Sequence, residues 1–216
     1  HLDSDWVIDI DITANRADAL SHYGVARDLY AWLTQRGYKT SLHRPDCSKF
    51  HVDNELMPID VEIDNTEACK RYACLSVTDC EVKESPKWMQ ERLNAIGLRP
   101  INNIVDITNY IMMAYGQPMH CFDADRVTGH KIVVRTQPEG TKFVTLDGVE
   151  HILGEHDLSI CNAEEPMCIA GIFGGKGSGT SETTRNVVLE SAYFHPTWIR
   201  KSARHHGLST DASFRF

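Results

Sequence analysis

An α+β fold is predicted by the order of the hydrophobic patterns along the 216 residues of this chain. The first half mixes apolar residues at helical spacing with short strand-like segments. After residue 130 short strand-like segments follow one another between turn signals, which favours mostly antiparallel strands. No linker rich in Pro, Gly and Ser divides the halves, so we expect residues 1–216 to form a single domain.

In the first half the patterns predict strands, helices and one long loop. Residues 7–12 alternate polar and apolar, which is typical of a half-buried strand. Apolar residues at helical spacing predict a helix from Asp18 that ends at Gly37, and residues 40–56 lack a period and predict a loop. Strands are then predicted at 59–63 and 72–79, a helix from Ser85-Pro86 to Gly97, and a third helix at 103–115.

In the second half turn residues separate the predicted strands. Asp147-Gly148 is a strong hairpin signal because both residues tolerate the positive φ that tight turns require. The strands are predicted at 131–135, 141–146, 149–153, 158–161, 167–173 and 187–194. A last helix begins at Pro196 and ends at Gly207.

Composition and charge exclude several classes of protein. Apolar residues make up 42% and charged residues 24%, as in ordinary globular domains, and no apolar run approaches the roughly 18 residues of a membrane span. Seven cysteines without a C-x-x-C pair indicate free thiols in a reducing cytosol. The formal charge of −8 argues against a domain that binds nucleic acid mainly through its phosphates. The chain opens without Met, and both ends look cut from a longer polypeptide.

Metal-ligand residue types occur in two places, but not in an established motif. His120-x-x-Asp123 and His205-His206 supply ligands, yet the chain has no H-E-x-x-H and no paired cysteine spacing. Eleven histidines will produce such pairs by chance. We therefore expect no metal site.

The glycine-rich stretch 171–179 is not a phosphate-binding loop. That motif needs Gly where Ala170 stands and Ser or Thr where Gly177 stands. Glycines here instead allow the backbone to approach either a neighbouring strand or a ligand closely, and the residues alone do not favour one over the other.

Glu190 is the candidate site residue with the most distinctive position. Strand alternation places it on one face with Val188 and Ala192, so its carboxylate is expected to be buried and to need a partner. One interpretation is a structural ion pair with Arg135 or Arg200. The other is a carboxylate that accepts a hydrogen bond from a ligand.

The last predicted helix carries the densest cationic patch of this acidic chain. Arg200, Lys201 and Arg204 lie towards its C-terminus, followed by His205 and His206. Positive charges near a helix C-terminus interact favourably with the helix dipole, whatever the function. The same charges also offer a surface for an RNA 3′ end. The chain contains no G-x-S-x-G and no well-placed Cys–His pair, so no nucleophile is predicted.

Several long motifs in one order resemble a known family, the B3/B4 editing domain of the bacterial phenylalanyl-tRNA synthetase β subunit. The segment 105–123 reads VDITNYIMMAYGQPMHCFD and carries the most specific part of the likeness. The other matching segments are 15–27, 98–106, AGIFGG at 170–175, LESA at 189–192 and LSTDAS at 208–213. The resemblance covers nearly the whole chain and implies the B3/B4 fold.

The resemblance also implies an activity and its residues. Members of the family hydrolyse the ester bond of tyrosine wrongly attached to the phenylalanine tRNA, with a positioned water and without metal. Carried over by motif, Glu190 and Gly171 would hold the tyrosine hydroxyl, and Asn109 and His120 would lie near the ester. Further pocket residues would be Thr108, Gly174, Thr210 and Ala212.

Partners and location follow from the same likeness. We expect contact with the acceptor end of the phenylalanine tRNA, with other β-subunit domains and with the α subunit of an α2β2 enzyme, in the cytoplasm and not at a membrane. ATP and magnesium would serve the parent synthetase, with no cofactor in this domain. The alternatives are a non-catalytic domain that contacts tRNA or has only a structural role, and a metal-dependent hydrolase.

Overall fold

Ten strands and five α-helices form the part of the chain described by the structure, a computed structural model covering residues 6–13 and 15–216. The strands are β1 Asp60–Ile63, β2 Cys69–Val77, β3 Met119–Asp123, β4 Lys131–Thr136, β5 Thr141–Val144, β6 Glu150–Leu153, β7 Leu158–Cys161, β8 Pro166–Ile169, β9 Phe173–Gly174 and β10 Val187–Phe194. The helices are α1 His22–Gln35, α2 Lys87–Ala95, α3 Asn103–Tyr115, α4 Pro196–His206 and α5 Asp211–Arg215. The predicted α+β class is confirmed.

The strands form a five-stranded sheet, a three-stranded sheet and a hairpin. The larger sheet has the order β1-β4-β7-β8-β9, in which β1 and β4 pair in parallel and the other neighbours are antiparallel. The smaller sheet has the order β2-β10-β3 and is antiparallel throughout. The hairpin β5-β6 turns at Asp147-Gly148 as predicted, with Gly148 at a φ of +83°.

One apolar core joins the two larger sheets. Phe122, Val188 and Phe194 from the smaller sheet cluster with Ile132 and Ile160 from the larger one, and all five side chains are buried. Burial of such side chains contributes about 1.5–3 kcal/mol each, which makes this layer the main source of stability. Along β10 the residues that face the core therefore alternate with residues that face outwards.

Helix α3 has the predicted bounds because both of its ends carry strong signals. The Asn102 side chain accepts hydrogen bonds from the backbone N–H groups of Ile104 and Val105, which satisfies two free donors of the first turn. At the other end Gly116 adopts the left-handed conformation, with a φ of +79°, and donates to the Met112 carbonyl.

Helix α3 packs on the outer face of the smaller sheet. Ile104 contacts Cys121 of β3 and Val187 of β10 in a second, smaller apolar cluster. These two strand residues point away from the main core, because side chains alternate along a strand. The smaller sheet is therefore covered on both faces.

Sequence patterns failed at the N-terminus and in two short elements. Residues 7–12 form no strand, and Val7 and Ile8 are exposed, because no described strand pairs with them. The helix predicted from Asp18 begins instead as a 3₁₀ turn at Ala17–Ala19, followed by α1 with Ser21 as its N-cap. Strand β3 and helix α5 were not predicted.

Two further expectations concern thiols and membranes. All seven cysteines are free thiols, as predicted. In the described part of the chain, no helix has the length and apolar character that crossing a bilayer would demand.

Asp106 of α3 ties the helix to the segment before it, and its loss should destabilise the fold. Its fully buried carboxylate accepts hydrogen bonds from the Ser85 hydroxyl at 2.5 Å and from the Ile101 N–H at 2.9 Å. Asp106→Ala would remove both hydrogen bonds and leave the buried Ser85 hydroxyl without a partner, so we expect the free energy of unfolding to fall by about 2–4 kcal/mol. Urea denaturation would measure this change.

The matched control is Asp53→Ala, since the Asp53 side chain is 81% exposed. We expect its free energy of unfolding to stay within about 0.5 kcal/mol of the unmodified chain. Equal effects of the two substitutions would contradict a structural role for Asp106.

Candidate functional site

Glu190 lies buried on the inner face of the smaller sheet. It is 4% exposed and shares that face with Val188 and Ala192, as alternation predicts. Its Oε2 atom accepts a hydrogen bond of 2.9 Å from the hydroxyl of Tyr72 on β2. The ion pair with Arg135 or Arg200 is therefore wrong as an interpretation of this carboxyl group.

His120 stands directly opposite Glu190 on the neighbouring strand β3. Side chains at directly opposite positions of antiparallel strands share a face, with Cβ atoms about 4.5–5.5 Å apart. The His120 Nε2 atom is buried and has no hydrogen-bond partner among the described residues. The imidazole packs edge-on against Phe122, with ring centroids 4.5 Å apart. An unpaired ring nitrogen thus lies beside a buried carboxyl group.

Burial shifts the ionisation of both groups towards their neutral forms. Removal from water raises the pKa of Glu190 to about 7, against the smaller, opposite effect of the Tyr72 hydrogen bond. Removal from water also lowers the pKa of His120 to about 4, so its ring is neutral at pH 7. Burial and the nearby Glu190 hold the pKa of Tyr72 well above its ordinary value, so its hydroxyl remains a donor.

Gly174 of β9 brings backbone against the His120 ring. A Cβ atom at this position would lie 2.8 Å from His120 Cε1 and 3.2 Å from Nε2, so only glycine fits without a shift. Leu146, at the tip of the β5-β6 hairpin, donates its N–H to the Gly174 carbonyl at 3.0 Å. The glycines were expected to let the backbone approach either a neighbouring strand or a ligand. At Gly174 the backbone approaches a neighbouring strand, through the ring of His120.

Gly171 and the closing segment of the chain lie together. Gly171 has a φ of +68°, and a Cβ there would lie 2.8 Å from the Phe216 ring. The Gly171 N–H has no acceptor among the described residues. Thr210 caps α5 and donates its hydroxyl to the Ile172 carbonyl at 3.2 Å, and the half-buried Ala212 lies in the first turn of α5.

Thr108 and Asn109 are not joined to Glu190 or His120. The Thr108 hydroxyl donates to the Val105 carbonyl at 2.7 Å, and the side chain of the half-buried Asn109 has no hydrogen bond to the described residues. Both belong to α3, which packs on the outer face of the smaller sheet. Within the described chain no hydrogen bond joins this pair to the six other pocket residues predicted by resemblance.

Two surface clefts contain cationic side chains. Lys201 of α4 lines a cleft of about 230 Å³, and Arg200 and Arg204 are exposed nearby on the same helix. A second cleft of about 220 Å³ is lined by Arg126, Lys142, Lys176 and the backbone of Gly175. The sequence did not indicate this second cleft, because its cations come from three separate segments.

Tyr72 is the site residue that sequence reasoning missed. It lies 118 residues before its carboxyl partner, and only the pairing of β2 with β10 brings the two together. A tyrosine inside a predicted strand carries no signal of that pairing, because strands are generally rich in aromatic residues.

Comparison with known proteins finds a family match and close relatives. The model of a family described as "B3/4 domain" matches residues 68–216. The chain is 62% identical over 213 residues to a phenylalanine–tRNA ligase β subunit of Bacteroides fragilis, covering 99% of the chain and 26% of the relative. It is 60% identical to the β subunit of Bacteroides thetaiotaomicron, covering 100% and 26%. The chain thus spans about a quarter of the length of these relatives.

One solved structure has a similar fold. It is an N-terminal fragment of the phenylalanyl-tRNA synthetase β subunit from Pyrococcus horikoshii, with a TM-score of 0.50 and 15% identity over 91% of this chain and 60% of that one. At this identity the match supports the fold alone. Together the comparisons confirm the family resemblance drawn from the sequence.

The buried Glu190 should make stability depend on pH. Because its pKa rises from 4.5 to about 7 on folding, the folded state binds the proton more tightly, and stability falls as pH rises from about 4.5 to 7. Glu190→Gln removes this penalty. We expect it to gain up to about 3 kcal/mol relative to the unmodified chain between pH 5 and pH 8.

Urea denaturation of both proteins at the two pH values measures this gain. Glu164→Gln changes an exposed carboxyl group and should show the same difference from the unmodified chain at both pH values. A pH-independent effect of Glu190→Gln would contradict the burial of an ionising group.

Proposed function

This chain belongs to the B3/4 domain family, and from that we propose that it is the editing domain of a phenylalanine–tRNA ligase β subunit. Its reaction would be hydrolysis of the ester that links tyrosine to the phenylalanine tRNA. The names of its relatives, and their sequence identity to this chain, support a phenylalanine–tRNA ligase as the parent enzyme. The observation that carries the activity is a buried carboxyl group, Glu190, already bound to a phenol hydroxyl.

The need for such a site follows from the chemistry of the two amino acids. A synthetic pocket shaped for phenylalanine rejects tyrosine poorly, since one added hydroxyl changes such discrimination by only about 100-fold. A second site that binds the hydroxyl can reverse the preference. It rejects the amino acid without a hydroxyl by about 10⁴–10⁵, because its own buried polar group would then remain unpaired.

Glu190 has the properties that this second site requires. Its Oε2 atom accepts from Tyr72, while Oε1 has no hydrogen bond among the described residues. We assign Oε1 to the hydroxyl of the substrate tyrosine. The unpaired N–H of Gly171 is the second polar group assigned to that hydroxyl, as an additional donor.

His120 is better suited to orient water than to remove its proton. A base with a pKa of about 4 is weak at neutral pH, so its contribution as a general base is small. The neutral ring can still hold a water or the ribose through its unpaired nitrogen. Attack by the positioned water breaks the ester bond, leaving free tyrosine and a tRNA with a free terminal hydroxyl.

The remaining residues and partners complete the proposal. Thr210, Ala212 and Gly174 would shape the pocket, and Arg200, Lys201 and Arg204 would contact the acceptor end of the phenylalanine tRNA. The rest of the β subunit and an α subunit would hold the tRNA body, since this domain is acidic. ATP and magnesium belong to the synthetic site of the parent enzyme, which would act in the cytoplasm.

A non-catalytic domain of the same enzyme is the second candidate. It is favoured by the placement of Thr108 and Asn109, which no hydrogen bond joins to His120 or Glu190 within the described chain. In that case the smaller sheet would only support contact with tRNA. The two candidates differ in whether Glu190 affects hydrolysis.

Glu190→Ala in the complete ligase tests the proposal. We expect hydrolysis of tyrosyl-tRNA to fall relative to that of phenylalanyl-tRNA, with the preference reduced at least about 100-fold, because the hydroxyl loses its acceptor. Rates of deacylation of the two charged tRNAs measure this preference.

Glu164→Ala, at an exposed glutamate, is the control and should retain the preference. If the unmodified ligase does not hydrolyse tyrosyl-tRNA, or if Glu190→Ala leaves the preference intact, the non-catalytic domain is the better account.

Tyr72→Phe gives a second test, through pH. The Tyr72 hydrogen bond lowers the pKa of Glu190, so its removal raises that pKa. If the ionised carboxylate accepts the substrate hydroxyl, the midpoint at which hydrolysis rises with pH should move upwards by about 0.5–1 pH unit.

A pH profile of tyrosyl-tRNA hydrolysis by the complete ligase would show this shift. Tyr193→Phe removes an exposed hydroxyl from the neighbouring strand β10 and should leave the profile unchanged. A downward shift for Tyr72→Phe would contradict the assignment.

A further inference from the structure

A cluster of histidines around a buried carboxylate lies apart from the Glu190 site. Asp157 is in the turn between β6 and β7, and His205 and His206 end helix α4. Ligand atoms of these three side chains lie within 4.8 Å of one another. A fourth imidazole, that of His151 on β6, lies with its ring centroid 5.2 Å from that of His206.

The spacing of the innermost pair matches that of two ligands of one metal ion. His206 Nε2 and Asp157 Oδ1 are 3.1 Å apart, and each side chain is only 3% exposed. Tetrahedral coordination with bonds of about 2.0–2.1 Å separates neighbouring ligand atoms by about 3.3 Å. The ring of His205 lies 4.7 Å from that of His206, so it can approach the same point from the solvent side.

Two ring nitrogens of the cluster are buried and unpaired. His206 Nε2 and His151 Nε2 have no hydrogen-bond partner among the described residues. His206 Nε2 lies within ion-pair distance of Asp157 Oδ1, at 3.1 Å, but meets no acceptor with the geometry of a hydrogen bond. Leaving a buried polar atom without a hydrogen bond is costly, so these nitrogens are open to a further partner.

The carboxylate is already oriented by the protein. The Gly154 N–H donates to Asp157 Oδ2 at 3.0 Å, and the Ser202 hydroxyl donates to Oδ1. Such outer hydrogen bonds are the usual support of a metal-binding carboxylate, because they fix its direction. Oδ1 retains acceptor capacity beside His206, because a carboxylate oxygen can accept more than one hydrogen bond.

We propose that Asp157, His205 and His206 bind one divalent transition-metal ion of the zinc class, with water in the fourth position. Imidazoles with a single carboxylate suit such ions, whereas calcium and magnesium prefer oxygen ligands throughout. The site stabilises the fold by joining the turn after β6 to the end of α4. It differs from the sequence expectation of no metal site, and it does not depend on the editing activity.

The position of the site gives it a defined structural effect. Helix α4 ends at His206 and leads through Gly207 to Thr210, which bonds the Ile172 carbonyl beside Gly171. An ion at the end of α4 would therefore hold the closing segment in place.

Zinc alone is the probe for the test. The whole chain, freed of metal by a chelator, is titrated with zinc chloride, and bound zinc is counted by elemental analysis after gel filtration. We expect one zinc per chain and a rise in Tm of about 5–10 °C at a free zinc concentration near 100 times the Kd.

His205→Ala is the decisive variant because His205 is exposed, so the fold tolerates its loss. It should lower zinc affinity at least about 10-fold and reduce the rise in Tm, whereas His43→Ala, at an exposed histidine outside the cluster, should change neither. His206→Gln is a second variant with the same expected loss of affinity.

Two results would overturn the proposal. One is the absence of a zinc-dependent rise in Tm, and the other is zinc binding that survives both His205→Ala and His206→Gln. Either result would make the cluster a structural pair of Asp157 with His206.

Discussion

A carboxyl group buried between two sheets is the constraint on which the candidate site depends. In an apolar layer the ionised form of Glu190 is costly, and the hydroxyl of Tyr72 offsets only part of that cost. Glu190 stays buried despite this cost because β10 is the central strand of its sheet, with β2 on one side and β3 on the other. Each neighbour supplies one polar group, a phenol from β2 and an imidazole from β3. The chemistry at this point is therefore set by strand pairing.

The pairing register of β10 with β2 and β3 fixes the positions of these polar groups. Glu190 pairs with His120 and with Cys74, and a slip of one residue would turn the carboxyl group to the outer face, against α3. Gly174 then closes the site from the larger sheet, since any side chain there would meet the imidazole. The polar groups are thus fixed by three strands and one glycine. Polar groups that are already fixed lose little conformational entropy when they bind a matching ligand.

The sequence predicted the elements with strong local signals. Helix α3 was predicted with its observed bounds, since Asn102 and Gly116 supply both caps, and the burial of Glu190 followed from alternation along β10. What depends on distant pairing was not predictable, above all the contact of Tyr72 with Glu190. Strand β3 was not predicted either. Residues 7–12 were predicted as a strand but do not form one, since an alternating pattern forms a strand only where a partner strand exists. The roles of Thr108 and Asn109 rest on family resemblance alone.

The parallel pairing of β1 with β4 has a consequence for the order of folding. The pairing of Asp60–Ile63 with Lys131–Val134 closes a loop of residues 64–130, which include β2, α2, α3 and β3. Closing so long a loop costs entropy that only the finished contacts repay. Local units such as the β5-β6 hairpin can form early, within microseconds on the usual scale. We therefore expect the edge strand β1 to join late and to slow the folding of the domain.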